Sequence, residues 1–243
     1  SSDLNPIRMT TSDSVLASFD GGKSPYLRTK LPDIHGCSCC FPNVWRFLGQ
    51  LPEYLLATDG KSVTVNLYSS CTADVEINGK QVQIKVETDY PYSEVIKITA
   101  DNPVNFKLRI PQWCTDAKVT ADGNTSSAAS GTYFEICSSH IELILPMPVR
   151  TVISSGKSHD SAGQIAFAKG PIIYCFEADT ENMEMMKVDK SKDCKVVDID
   201  GIPYIEIMMN EYEEPKSLYF SQEKAALKAA VPVKLIPFYL RGN

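Results

Sequence analysis

In the stretch Val75-Glu76-Ile77-Asn78-Gly79-Lys80-Gln81-Val82-Gln83-Ile84-Lys85-Val86, apolar and polar side chains alternate on both sides of Asn78-Gly79. A period of two puts Val75 and Ile77, then Val82, Ile84 and Val86, on one face of an extended chain. Asn-Gly tolerates the positive φ that a primed two-residue turn demands, so the stretch reads as a β-hairpin. The same alternation begins upstream at Val63, Val65 and Leu67. It continues downstream through Val95–Ile98, Phe106–Ile110, Ala117–Ala121, Tyr133–Cys137 and Ile141–Leu145. Short strands punctuated by turn residues predict an antiparallel β-sandwich over 59–150, closed by Pro146 and Pro148. A second β-rich stretch, 151–243, carries Ile165–Ala168, Ile172–Phe176, Lys195–Ile199 and Tyr204–Met208 and predicts another sandwich of similar size. Glu181–Lys192 reads as a loop or short helix, and Ser221–Ala230 as a weak helical segment.

The 243 residues carry a formal net charge of -6, a near-average hydrophobic content of 43%, and scattered rather than clustered Lys and Arg. A nucleic-acid or anionic-membrane partner needs a basic face, and none is visible. No apolar run approaches the roughly 20 residues of a membrane-spanning helix. The opening Ser1-Ser2-Asp3 lacks the features of a secretory leader.

Residues 1–34 read as an extended lead-in rich in Pro and Gly. Pro42 then suits the first turn of a helix, having no N–H to leave unpaired. Val44, Phe47, Leu48, Leu51 and Leu55 follow at helical spacing as an apolar stripe. Pro52 should kink or shorten that helix, and Asp59-Gly60 should end it.

Eight cysteines are too few for a disulfide-built scaffold in a chain of this length. Cys71, Cys114, Cys137, Cys175 and Cys194 are spread singly, as small buried hydrophobes would be. Cys37, Cys39 and Cys40 instead crowd together in His35-Gly36-Cys37-Ser38-Cys39-Cys40-Phe41-Pro42-Asn43, at the start of the helix. A thiolate is stabilised where unpaired N–H groups and the helix dipole favour negative charge. Thiols also suit zinc, although adjacent cysteines cannot complete a tetrahedral site alone. Spacing leaves buried thiols, a disulfide, and a metal or nucleophile role all open.

Cys39-Cys40-Phe41-Pro42-Asn43, with Arg46 and Glu53-Tyr54 after it, resembles the Cys-Cys-Pro-Pro-Asn helix of glycoside hydrolase family 127, the β-L-arabinofuranosidases. Leu4-Asn5-Pro6, Val65-Asn66-Leu67-Tyr68, Glu87-Thr88-Asp89-Tyr90-Pro91 and Leu108-Arg109-Ile110-Pro111 with Trp113-Cys114 follow in that family's order. So do Leu145-Pro146-Met147-Pro148-Val149-Arg150, Lys169-Gly170-Pro171 with Tyr174-Cys175, and Ile236-Pro237-Phe238-Tyr239. Phe41 in place of a proline, the interrupting Pro52, and Arg241 in place of a tryptophan depart from the pattern.

The resemblance implies a retaining hydrolase of an arabinofuranoside-type glycan, with Cys39 as nucleophile and Cys39 and Cys40 as zinc ligands. It also implies that residues 1–58 are a loop plus the last helix of an (α/α)6 barrel. That preceding barrel would supply the acid/base glutamate, another glutamate and a third cysteine. No Glu-x-Cys occurs in this chain, so the site is expected to be incomplete without the barrel. Missing barrel contacts should leave an apolar face around Val44, Phe47 and Leu51. The alternative is a non-catalytic β-sandwich module binding carbohydrate or protein, marked by aromatics along an exposed sheet face.

Among other residues, His35 is a candidate metal or substrate contact. His140 is expected in a hairpin-like turn, and His159 in a polar loop. Trp113 and Trp45 read as packing residues, Trp113 with a sugar platform as its alternative. Asp59, Asp89 and Asp122 read as turn residues. Glu211, Glu213 and Glu214 read as a solvated face.

Overall fold

The computed structural model describes residues 40–158, 163–176, 186–213 and 226–240. One helix, α1 (Cys40–Leu55), is followed by fifteen strands among those residues. The helix begins two residues before Pro42 and stops three residues short of Thr58. Leu56–Thr58 is instead a strand, β1, pairing antiparallel with β2 (Ser62–Val65) through Leu56↔Val65 and Thr58↔Val63. Asp59 drives this outcome. Its Oδ1 accepts the Lys61 and Ser62 N–H groups at 2.9 and 2.7 Å, and its Oδ2 accepts the Ser62 hydroxyl at 3.0 Å. That tight turn returns the chain along itself, so 56–58 gains a ladder partner that further helix could not offer. Pro52 lies inside α1, which continues through it for three residues to Leu55.

The first sheet is built on two long strands, β5 (Val95–Arg109) and β8 (Tyr133–Ile144), each spanning what the alternation pattern reads as two. They pair antiparallel from Val95↔Ile144 to Arg109↔Tyr133, with a register shift between Thr99 and Val104. The first half of β5 also pairs with β4 (Lys80–Thr88), and the second half with β2. β5 therefore serves two groups of strands, turning between them at its irregular middle, as bulges allow. The hairpin β3 (Cys71–Ile77) and β4 lies beyond the first half. β6 (Ala117–Ala121) pairs with β8 and with β7 (Asn124–Ala128). The β2–β5 pair is parallel, Val63↔Phe106 and Val65↔Leu108, within an otherwise antiparallel sheet.

One core gathers the inward residues of both strand groups: Val63, Val65, Ile84, Ile96, Ile98, Phe106, Leu108 and Leu143 are all essentially buried. Three turns share one chemistry. Asn78-Gly79, Asp122-Gly123 and Asp200-Gly201 each place both residues at φ between 51° and 79°, the type I′ geometry that Asn-Gly and Asp-Gly favour.

After β9 (Val149–Ile153) and β10 (Ile165–Lys169), the C-terminal strands are β11 (Ile172–Cys175), β12 (Met186–Val188), β13 (Lys195–Ile199), β14 (Ile202–Tyr212) and β15 (Leu227–Pro237). β15 joins β11 to β14, and β14 carries β12 and β13. Ile205, Ile207, Met209 and Leu235 are buried along this sheet, and the buried Tyr174 hydroxyl donates to Pro203 O at 2.9 Å. Residues 227–230 are strand rather than helix, and 186–188 are strand within the segment read as a loop; 181–185 and 221–225 lie outside the described residues.

Gly170 gives a sharp stability test. Its φ is 55°, and a Cβ there would overlap the Met147 sulfur and lie 3.0 Å from Met147 Cγ. Gly170→Ala is expected to cost about 1–3 kcal/mol through overpacking and a left-handed backbone, read as a lower urea midpoint. An unchanged midpoint would contradict the close approach.

Candidate functional site

α1 takes its first helical residue at Cys40, two residues before the Pro42 start that the sequence predicts. Cys39 itself lies outside the described residues, as do Cys37, His35 and His159. The first turn of α1 contains no acidic residue, and a helix start favours negative charge. Among the described residues no three His, Cys, Asp or Glu side chains converge as a metal cluster.

The other cysteines differ from this pair. All five described ones are unbridged. Only Cys114 is fully buried, Cys137 is exposed, and the rest are half-buried, so the expectation of small buried hydrophobes holds for one of them. Burial pushes the Cys71 and Cys114 thiols up from their ordinary range, away from the reactive thiolate form.

Further along α1 the apolar side chains face solvent. Trp45 is 73% exposed, Phe47, Leu48 and Tyr54 are more than half exposed, and Val44 and Leu51 are half-buried. Trp45 is therefore not a packing residue among the described residues. The Phe47 and Tyr54 rings, two turns apart, lie 6.4 Å from each other. At its other end α1 is tied to the first sheet: the Asn66 and Leu67 N–H groups donate to Leu55 O at 2.9 and 3.4 Å.

Trp113 is half-buried against the core, with the Arg150 guanidinium 5.9 Å above its ring. Arg150 also donates from Nη2 to Gly170 O at 2.8 Å. These contacts make Trp113 a packing residue. His140 lies within β8, opposite Thr99, rather than in a turn; the buried Ser138 hydroxyl accepts the His140 N–H at 3.1 Å. Glu211 takes an ion pair from Lys228 at 2.7 Å.

Asp59 is structural. Hydrogen bonds from Lys61 and Ser62 hold its carboxyl far below the usual carboxylate range. A depressed folded-state pKa contributes stability that is present above the unfolded value, near 4, and is lost as pH falls further. The stability gap between wild type and Asp59→Ala is expected to be constant above about pH 5 and to shrink below about pH 4, measured by urea unfolding across pH. A gap that widens on acidification would overturn this role.

Comparison with known proteins adds the following. Residues 62–147 match the family model described as Beta-L-arabinofuranosidase, GH127 middle domain, and residues 149–243 match the Glycoside hydrolase family 127 C-terminal domain. The non-reducing end beta-L-arabinofuranosidase of Bifidobacterium longum subsp. longum is 24% identical over 241 residues, covering 87% of this chain and 36% of that protein. A GH127 beta-L-arabinofuranosidase from Geobacillus stearothermophilus T6 superposes with a TM-score of 0.78 at 24% identity, over 90% of this chain and 37% of that one. A second GH127 beta-arabinofuranosidase structure gives 0.76 at 26% identity, over 89% and 38%. The chain thus spans little more than a third of the length of these relatives.

Proposed function

We propose, from the premise that this chain belongs to glycoside hydrolase family 127, that it is the β-rich portion of a longer retaining hydrolase of L-arabinofuranosides. In this reading Cys39 is the nucleophile, and Cys39 and Cys40 hold zinc. The observation that carries it is α1: a helix opening at the thiol pair, with no acidic residue in its first turn and aromatic side chains left in solvent along its length. Such a face, on a helix whose far end is fixed to a folded sheet, suits burial against further helices preceding it in the chain.

The chemistry divides accordingly. Bound zinc would keep the thiols ionised at neutral pH. The Cys39 sulfur attacks the anomeric carbon, forming a C–S bond as the glycosidic C–O bond breaks. The departing oxygen takes its proton from a carboxylic acid of the preceding helical barrel. Water, deprotonated by the same carboxylate, then displaces the sulfur and returns the anomeric configuration. Cys39 and Cys40 would hold the metal, which would supply thiol deprotonation, and the first sheet anchors the far end of α1.

Elemental analysis tests the metal half of the reading. Stoichiometric zinc in the complete protein, lost in both Cys39→Ser and Cys40→Ser, is expected. Full zinc retention in both variants would remove these thiols from the metal site.

A further inference from the structure

At the end of the first sheet where α1 is anchored, one half-exposed aromatic ring is tethered through its hydroxyl. Tyr133 opens β8 and stands opposite Arg109, the last residue of β5. Directly opposed residues share a sheet face, and both side chains are exposed, Tyr133 by 49%. The Tyr133 hydroxyl donates to Asn66 Oδ1 at 2.8 Å, across 67 residues of sequence. Asn66 directly follows β2, which lies on the opposite side of β5 from β8. Two strand spacings are about 10 Å. The phenol therefore reaches across β5 on the face that carries Arg109.

The surrounding groups are polar donors. Arg109 spends Nη1 on Asn66 O at 3.3 Å, which leaves the rest of its five-donor fork. Asn66 accepts from Tyr133 through its amide oxygen, which leaves its Nδ2 as two further donors. The arrangement is held from beneath as well. The largely buried Tyr68 hydroxyl donates to Arg109 O at 2.6 Å, and Asn66 N–H is bonded to Leu55 O.

We propose that Tyr133, Arg109 and Asn66 form a saccharide-binding platform, a site for a further sugar ring of the glycan. The C–H face of a furanose or pyranose is apolar and slightly positive, and it complements the negative face of a pinned aromatic ring. Its hydroxyls accept from a guanidinium and an amide at the ring's edge. Backbone and hydroxyl bonds hold the platform before ligand arrives, which lowers the ordering cost that weakens sugar binding to loops. The choice of an L-arabinofuranosyl ligand rests on the function proposed above, whereas the platform's sugar-binding chemistry does not.

The test is a titration of the complete chain with an L-arabinofuranosyl trisaccharide, followed by amide chemical shifts, with maltotriose as comparison. Saturable shifts centred on Asn66, Arg109 and Tyr133 are expected below about 10 mM. Tyr133→Ala should weaken binding at least about tenfold. Tyr133→Phe keeps the ring but loses its tether to Asn66 and should weaken it about three- to tenfold. Arg109→Lys, which keeps the charge, should also weaken binding because the planar fork is gone. Cys39→Ser should leave these shifts intact, so a failure of the proposed catalysis and a failure of the platform read differently. No saturable shift with either sugar, or equal binding by wild type and a folded Tyr133→Ala, overturns the platform. Tighter binding of maltotriose would retain the platform and overturn its arabinofuranosyl preference.

Discussion

In the complete protein, Cys39→Ser is expected to lower kcat by at least about a thousandfold, in line with the loss of a covalent nucleophile elsewhere. A serine hydroxyl at the same place stays protonated near neutral pH, and neither a helix start nor a metal compensates fully for its weaker nucleophilicity. Single-turnover hydrolysis of an aryl L-arabinofuranoside is the measurement. The glycosyl-enzyme burst should vanish while binding of the intact glycoside survives. Residual turnover within about tenfold of wild type would sink Cys39 as nucleophile and return the thiol pair to a structural role.

Phe106→Ala carries the largest expected cost to folding. Phe106 is 1% exposed and stands mid-sheet, between Val63 of β2 and Ile136 of β8. Truncating a buried phenylalanine costs about 3–5 kcal/mol, a large share of the 5–15 kcal/mol that holds a domain together. The urea transition of the first sheet should move to much lower denaturant or disappear. Phe47→Ala provides the contrast. On the exposed face of α1 it should change the stability of this chain by about 0.5 kcal/mol or less. A large effect of Phe47→Ala here would mean that the helix face is already covered.

The sequence made some elements plain and concealed others for identifiable reasons. The hairpin at Asn78-Gly79 follows from strict alternation around a turn that accepts positive φ, and the structure has both. Asp122, read as a turn residue, and the Asp200-Gly201 pair carry the same turn chemistry. β5 and β8 were each read as two strands because Asp101-Asn102-Pro103 and Ser138-Ser139-His140 have the composition of turns. Bulged corners use the same residues, and composition does not distinguish a chain that reverses from one that bends onward. The helix reading runs past Leu55 because its nearest stop signal is Asp59-Gly60, while the competing strand 56–58 is stabilised by Asp59 and by a partner later in sequence. The thiol pair stands out in the sequence because three cysteines fall within four residues. The Tyr133–Asn66 tether does not, since only folding brings those groups within 2.8 Å.

The bond between Leu55 O and the Asn66 N–H turns α1 into a lever arm. Fifteen residue steps separate that fulcrum from Cys40, a length of about 22 Å at 1.5 Å per residue. A rotation of a single degree at the fulcrum sweeps the thiol end through about 0.4 Å, close to the roughly 0.5 Å tolerance of a catalytic constellation. Substitutions that loosen the Asn66 turn, far from any thiol, should therefore behave as alignment defects. They should slow the chemical step while leaving the unfolding free energy nearly untouched.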